Sequence, residues 1–181
     1  MPHRSWTLLG SRAVADHRIF RVRYDHYRFE LSGAERDFVV LETPSWVNVV
    51  PVTDDGQVVL IRQYRHGIRA VTLEVPGGMI DDGEAPEVAA ARELREETGY
   101  TAQRLRLLGR VLPNPAIHDN YCYLYAAEGC RQLDQPHLDP FESIEVARYP
   151  LADVPALVQG GEISHSMVIA ALALMGLVRG C

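Results

Sequence analysis

Three glutamates, Glu93, Glu96 and Glu97, fall within five residues of one another in the stretch GGMIDDGEAPEVAAARELREETGY (residues 77–100), and seven carboxylates occupy the seventeen positions from Asp81 to Glu97. On a helix of about 3.6 residues per turn, Glu96 and Glu97 stand three and four positions beyond Glu93, so all three project onto one face. Like charges at those spacings repel by only a few tenths of a kcal/mol per pair, a cost that an ordinary solvated helix can carry. Glu96 and Glu97 also lie in the last turn before Gly99, where the helix dipole disfavours anions. Arg92 can bridge to Glu96 one turn away, which leaves Glu93 and Glu97 free. Hard divalent cations, Mg²⁺ or Mn²⁺, are what such a set of carboxylate oxygens would hold. Val88, Ala91 and Leu94, on the far side, are expected to pack inward.

Other chemistries lack their residues. Gly78 and Gly83 have the spacing of a phosphate loop, but Glu84-Ala85 stands where Lys followed by Ser or Thr is required. There is no GxSxG elbow, no HExxH and no GxGxxG, and the seven histidines are scattered without ligand spacing. His165, between two serines at a helix start, reads as a capping-region residue. A net charge of −6 argues against a general electrostatic grip on nucleic acid. Cys122, Cys130 and Cys181 form an odd set without CxxC spacing, which points to neither a disulfide framework nor a thiolate zinc site and fits a reducing, cytoplasmic home. The N-terminus has no signal-like apolar core, and the apolar run from Met167 to Val178 is shorter than the roughly twenty residues that span a bilayer. No membrane partner is expected.

The elements that must position the acids are legible in outline. RIFRVRYDHYRFEL and ERDFVVLE, joined through Ser32-Gly33-Ala34, read as a hairpin, as do WVNVVPV and QVVLIRQYR around Asp54-Asp55-Gly56. The strand AVTLEVP runs into Gly77-Gly78. Pro86 suits the first turn of the acidic helix and Gly99 its left-handed cap. Further strands are expected around RLRLLGRVL, NYCYLYAAE and IEVARYPL, and helices around LADVPALVQG and SHSMVIAALALMGLV. Strands interleaved with three helices give an α+β layered fold with a mixed sheet. One domain over 1–181 is expected, with residues 1–43 as an N-terminal β-hairpin layer and 44–181 as the core.

Gly78, five residues, Glu84, seven residues, Arg92-Glu93-Leu94, one residue, Glu96-Glu97, one residue and Gly99-Tyr100 together resemble the complete signature of the Nudix hydrolases. The flanking VVLIRQYRHGIRAVTLEVPGGMIDDGE, Pro115 fifteen residues after Tyr100, FESIEV and GEISHSMVIAALAL look like the branch that cleaves ADP-ribose and ADP-sugars. The resemblance spans roughly Trp46 to Leu174. It implies an α/β/α sandwich, divalent-metal dependence (Mg²⁺ or Mn²⁺) and hydrolysis of a nucleoside diphosphate joined to another moiety. For ADP-ribose the products would be AMP and ribose 5-phosphate. In related enzymes the N-terminal strands contribute to a homodimer interface.

Carried over by position, Glu93, Glu96 and Glu97 match metal-binding glutamates, and the Gly77 carbonyl matches a backbone ligand. Arg92 and Glu84 match residues that brace the loop. Glu93, Glu97 and Glu142 are the candidates for the water-activating chemistry, and Glu142 has an equal reading as a solvated loop acid. Arg65 and, more weakly, Arg62 match substrate-reaching positions, whereas the reading from the residues alone is an exposed strand arginine. Glu74 orients the loop or contacts the nucleotide. Pro115 is assigned to the substrate wall, but the Ser-Pro-Gly segment common in the branch is Asn114-Pro115-Ala116 here, followed by Ile117-His118-Asp119-Asn120, either pocket or turn. GDP-mannose, a dinucleoside polyphosphate or NADH are the alternative substrates, and a non-catalytic nucleotide-sugar sensor is the alternative from another class.

Overall fold

A computed structural model of the 181-residue chain describes residues 5–178; Cys181, counted above among the thiols, lies outside the described residues. The elements in chain order are β1 (Trp6–Asp16), β2 (Arg21–Phe29), β3 (Ala34–Glu42), β4 (Trp46–Thr53), β5 (Gln57–Arg65), β6 (Ala70–Glu74), β7 (Gly77–Met79), α1 (Pro86–Thr98), β8 (Tyr100–Thr101), β9 (Arg104–Val111), β10 (Cys122–Gln132), β11 (Ile144–Pro150), a 3₁₀ turn (Leu151–Asp153), α2 (Val154–Gln159) and α3 (Ser166–Leu174). Two compact units result. One holds residues 5–44 with Leu112–Asn120, the other residues 45–111 with 121–178.

The first unit is an antiparallel sheet in the order β1-β2-β3. The β2–β3 hairpin closes through the 32–34 turn as expected, with Phe29 opposite Ala34 and Arg21 opposite Glu42. The sequence reading missed β1, whose apolar and polar residues do not alternate cleanly and whose pairing with β2 is broken by two register shifts. Trp6, Phe29, Tyr27 and Phe38 cluster on this sheet, with the Trp6 and Phe29 rings 4.6 Å apart. Arg23 ties the unit's ends together, bonding Asp25 (3.0 Å), Glu42 (2.6 Å) and Asp119 (2.9 Å).

The second unit is a mixed sheet in the order β11-β5-β4-β10-β8, with β6 on β5, β7 on β4 and β9 on β10. Only the β4–β10 pair is parallel among these pairings. Alternation along β4 and β5 explains the layers. Val47, Val49 and Val59 point to one face and pack with Ala89, Ala90 and Leu94 of α1. Val50, Val58 and Leu60 point to the other and pack with Val168, Ala171 and Leu172 of α3. The result is a helix layer on each face of the sheet, the sandwich the sequence resemblance implied. Among the described residues no helix is long and apolar enough to cross a membrane.

Helix α1 starts at Pro86 and ends at Gly99, which takes φ 74° and donates its N–H to the Arg95 carbonyl. Its inward face differs from the expectation. Ala89, Ala90 and Leu94 are buried, while Val88 is 57% exposed and Ala91 is exposed. The helix is rotated so that Glu97 and Thr98 join the buried side, a choice set by contact with β4 and β7 that helical periodicity does not encode.

Candidate active site

Three segments build the site: the end of β6 with β7, helix α1, and the start of α3. The pair Gly77-Gly78 forms β7 against β4, with Asn48 opposite Gly77 and Val47 opposite Gly78. A side chain at either glycine would collide with its neighbours. A Cβ on Gly77 would lie 2.1 Å from the Val47 carbonyl oxygen, and one on Gly78 would lie 2.3 Å from Glu93 Oε1. This close approach lets the Gly77 N–H donate to Glu97 Oε2 at 2.8 Å.

Arg92 organises the acids around that contact. Its fork donates to both Glu84 oxygens at 2.9 Å, to the Met79 carbonyl at 3.0 Å, to Glu93 Oε1 at 2.8 Å and to Glu96 Oε2 at 3.2 Å. The loop between β7 and α1 is thereby pinned to the helix, and the hydrogen bonds donated to Glu84 first of all hold the guanidinium charged. The expectation that Arg92 leaves Glu93 free is corrected: adjacent residues on a helix face differ by about 100°, but the long arginine side chain curls back to reach both neighbours.

Glu97 has no such cation. It is 5% exposed, and burial first, then the nearby charges of Glu93 and Glu142, push its pKa up to about 8 against the pull of the Gly77 N–H and Arg65. Burial likewise raises Glu93, opposed by Arg92 and assisted by Glu96 and Glu142. Glu96 is half-exposed. Glu142 sits in the exposed loop before β11, where its Oε2 accepts from the Asp139 N–H at 3.1 Å.

Among the described residues no three His, Cys, Asp or Glu side chains converge closely enough to hold a metal ion as they stand. The donor set nevertheless fits a hard cation. Glu93 and Glu97 are withdrawn from water, the charge of Glu142 adds to the rise of both, that of Glu93 adds to the rise of Glu97, and among the described residues Arg92 is the only cation that hydrogen-bonds either of them, so positive charge is in deficit around their oxygens.

Beside the glycine pair opens a cavity of about 780 Å³, bordered by Gly77, Gly78, Arg65, Glu74, Trp46 and His165. Glu74, 2% exposed, accepts four hydrogen bonds: from Arg65 Nε (2.9 Å) and Nη2 (2.7 Å), Thr72 Oγ1 (2.6 Å) and His165 Nδ1 (3.0 Å). Burial alone would raise its pKa, but these donors outweigh it and hold the carboxyl well below the usual range. With both oxygens doubly engaged, Glu74 acts as an anchor for Arg65, which in turn interacts with Glu97. Arg62 lies elsewhere: it donates to the Tyr149 hydroxyl at 2.6 Å and pairs with Glu162 at 3.9 Å, and it does not border the cavity. Pro115 belongs to the first unit, in the exposed stretch 114–117. Asp119 is engaged by Arg23 there.

The model of the NUDIX domain matches residues 43–171. The chain belongs to the Nudix family. Two curated relatives named ADP-ribose pyrophosphatase are similar to it. That of Bacillus subtilis is 34% identical over 125 residues (68% of each chain), and that of Mycobacterium tuberculosis is 32% identical over 172 residues (94% of this chain and 83% of the relative). A solved structure, the crystal structure of an ADP compounds hydrolase, superposes with a TM-score of 0.85 at 28% identity, covering 96% of this chain and 93% of that one. In the Nudix chain described here, the residues sequence reasoning missed are Thr72 and His165. His165 is 91 positions from Glu74, a separation at which local pattern carries no signal.

Proposed function

We propose that this Nudix hydrolase cleaves the diphosphate of a nucleoside diphosphate derivative, with ADP-ribose or a related ADP-sugar as substrate and AMP and a sugar phosphate as products. The observation that carries the reading is Glu97: a buried carboxylate with a pKa pushed up to about 8, bonded to the Gly77 N–H at the edge of a cavity that also holds Arg65. The names of the two ADP-ribose pyrophosphatase relatives support the substrate class.

Glu93, Glu96, Glu97 and the Gly77 carbonyl would hold Mg²⁺ or Mn²⁺, which when bound supplies Lewis-acid polarisation of the diphosphate and neutralises its charge. Arg65, fixed by Glu74, orients the diphosphate, since its fork is already aligned and little side-chain entropy remains to be lost. Water adds to one phosphorus, the bridging P–O bond breaks, and the attacking water's proton passes to a carboxylate. Glu142 takes that role: it is near enough to Glu93 and Glu97 to raise both, and no arginine binds it among the described residues. Glu93 and Glu97 act with it by holding the charge around the reacting oxygen.

The exposed aromatic and aliphatic residues of the first unit, Trp6, Leu8 and Phe38, support a homodimer formed through the N-terminal strands. The buried free thiols of Cys122 and Cys130 support a cytoplasmic setting. The substrate is tested by assaying AMP or nucleotide release from ADP-ribose, ADP-glucose, GDP-mannose, a dinucleoside polyphosphate and NADH, each with Mg²⁺ or Mn²⁺. ADP-ribose or an ADP-sugar is expected to show the highest kcat/KM. Cation-dependent binding of a nucleotide sugar by calorimetry, with no turnover of any compound, would instead make the chain a sensor.

A further inference from the structure

His165 stands at the N-terminal boundary of α3, but its side chain makes no capping bond. It reaches across to Glu74 Oε2 through Nδ1 at 3.0 Å. An ionised carboxylate only accepts, so Nδ1 carries the proton and, in the neutral ring, Nε2 is left as an acceptor. Nε2 has no hydrogen-bond partner among the described residues, the side chain is about one-third exposed, and the residue borders the cavity between Ser164 and Ser166, which border it too and whose hydroxyls bond no described residue.

The order of side chains says which part of a ligand it meets. From Glu97 the interactions pass to Arg65, from Arg65 to Glu74 and from Glu74 to His165. With the diphosphate at the Glu97 and Arg65 end, the group attached to it extends toward the start of α3. An acceptor nitrogen between two serines on the cavity wall matches a partner with several O–H donors.

We propose that His165 contacts substrate directly, its Nε2 accepting from a hydroxyl of the sugar joined to the diphosphate, while its Nδ1–H keeps the ring aimed by binding Glu74. This rests on the nucleotide-sugar reading above. It makes His165 a specificity residue for the sugar half and leaves the nucleoside half to other groups.

Two variants separate the nitrogens. In His165→Asn the amide N–H can replace Nδ1–H at Glu74, while the Nε2 acceptor is lost; His165→Gln extends toward the Nε2 position and gives up the short bond to Glu74. The proteins are titrated calorimetrically with ribose 5-phosphate and with AMP, and assayed with ADP-ribose. For His165→Asn the expected results are an unchanged thermal midpoint, affinity for ribose 5-phosphate weaker by about tenfold, AMP affinity unchanged, and KM for ADP-ribose raised about tenfold with kcat little altered. Equal binding of ribose 5-phosphate by His165→Asn and the wild type, or no binding of it by the wild type, overturns the proposal. So does a loss of AMP affinity as large as the loss for ribose 5-phosphate. If the wild type binds ribose 5-phosphate through His165 but does not hydrolyse ADP-ribose, the substrate assignment fails and the sugar contact stands.

Discussion

Glu97→Gln should make the cation-free protein more stable at neutral pH while removing its activity. In the fold the carboxyl has a pKa of about 8, against 4.5 for the free side chain. A raised acid pKa means that the folded state binds the proton more tightly than the unfolded chain. The stability contributed by the protonated group is therefore complete below about pH 4.5 and declines as pH rises toward 8. At pH 7 the accumulated loss is about 2.5 pH units at about 1.4 kcal/mol each, or about 3.5 kcal/mol. Glutamine has a similar shape, keeps an oxygen for the Gly77 N–H and carries no charge, but it buries an amide N–H₂ that costs about 1 kcal/mol. The net expectation is a gain of about 2.5 kcal/mol at pH 7 and a loss of about 1 kcal/mol at pH 4.5, where only the amide cost remains. Urea unfolding in EDTA at pH 4.5, 6, 7 and 8 measures it, together with a parallel series in Mg²⁺ or Mn²⁺. The cation should stabilise the wild type and not the variant, since only a state that binds ligand gains from it. Turnover should fall by at least about a hundredfold. A variant less stable than the wild type at every pH in EDTA, or one stabilised equally by the cation, would show that Glu97 is a structural acid and not a buried charge awaiting a metal.

The two adjacent glycines should fail differently. Gly77→Ala drives a Cβ into the Val47 backbone carbonyl at 2.1 Å and should cost about 3 kcal/mol in urea unfolding. For Gly78→Ala the nearest atoms are the Glu93 carboxyl end, at 2.3 Å, which can swing away, so thermal unfolding should change by only a few degrees while activity falls at least about tenfold; equal destabilisation by both would contradict the geometry. Glu74 is held below the usual carboxylate range, so its stabilisation is present above the ordinary pKa and is lost as pH falls through and below it. Glu74→Gln should thus cost about 2 kcal/mol at pH 7, discounted because Arg65 is 44% exposed, and should flatten the acid limb of the stability profile below about pH 5. Arg92→Lys keeps the charge but loses the paired bonds to Glu84 at 2.9 Å. It should lower stability by about 1–2 kcal/mol and raise the Mg²⁺ concentration needed for half-maximal rate.

Much of this arrangement is legible along the chain because the chemistry is local. Pro86, Gly99 and the spacing of Glu93, Glu96 and Glu97 lie within one helix and its caps, where i,i+3 and i,i+4 geometry suffices. The hairpins at 32–34 and 54–56 are likewise short-range events, and Gly56 takes the positive φ of 77° that such a turn requires. The rotation of α1 was misread because Val88 is apolar yet exposed, and Glu97 charged yet buried. What α1 packs on decides that, and propensity does not. Arg62 and Arg65 sit on the same strand three residues apart, so on opposite faces of the sheet; pattern alone ranks them alike, and the fold sends one to Tyr149 and the other to Glu74.

By itself the sequence determined the acid helix, the hairpins, the mixed sheet and the family to which these belong, since each is written in residues near one another. Tertiary structure alone decided which acids are stripped of water and which residues saturate Glu74. It also decided that His165, an unremarkable residue at a helix start, binds Glu74 and borders the cavity. Desolvation and long-range hydrogen bonds depend on what the rest of the chain brings alongside, and residues separated by ninety positions share no local period from which their meeting could be read.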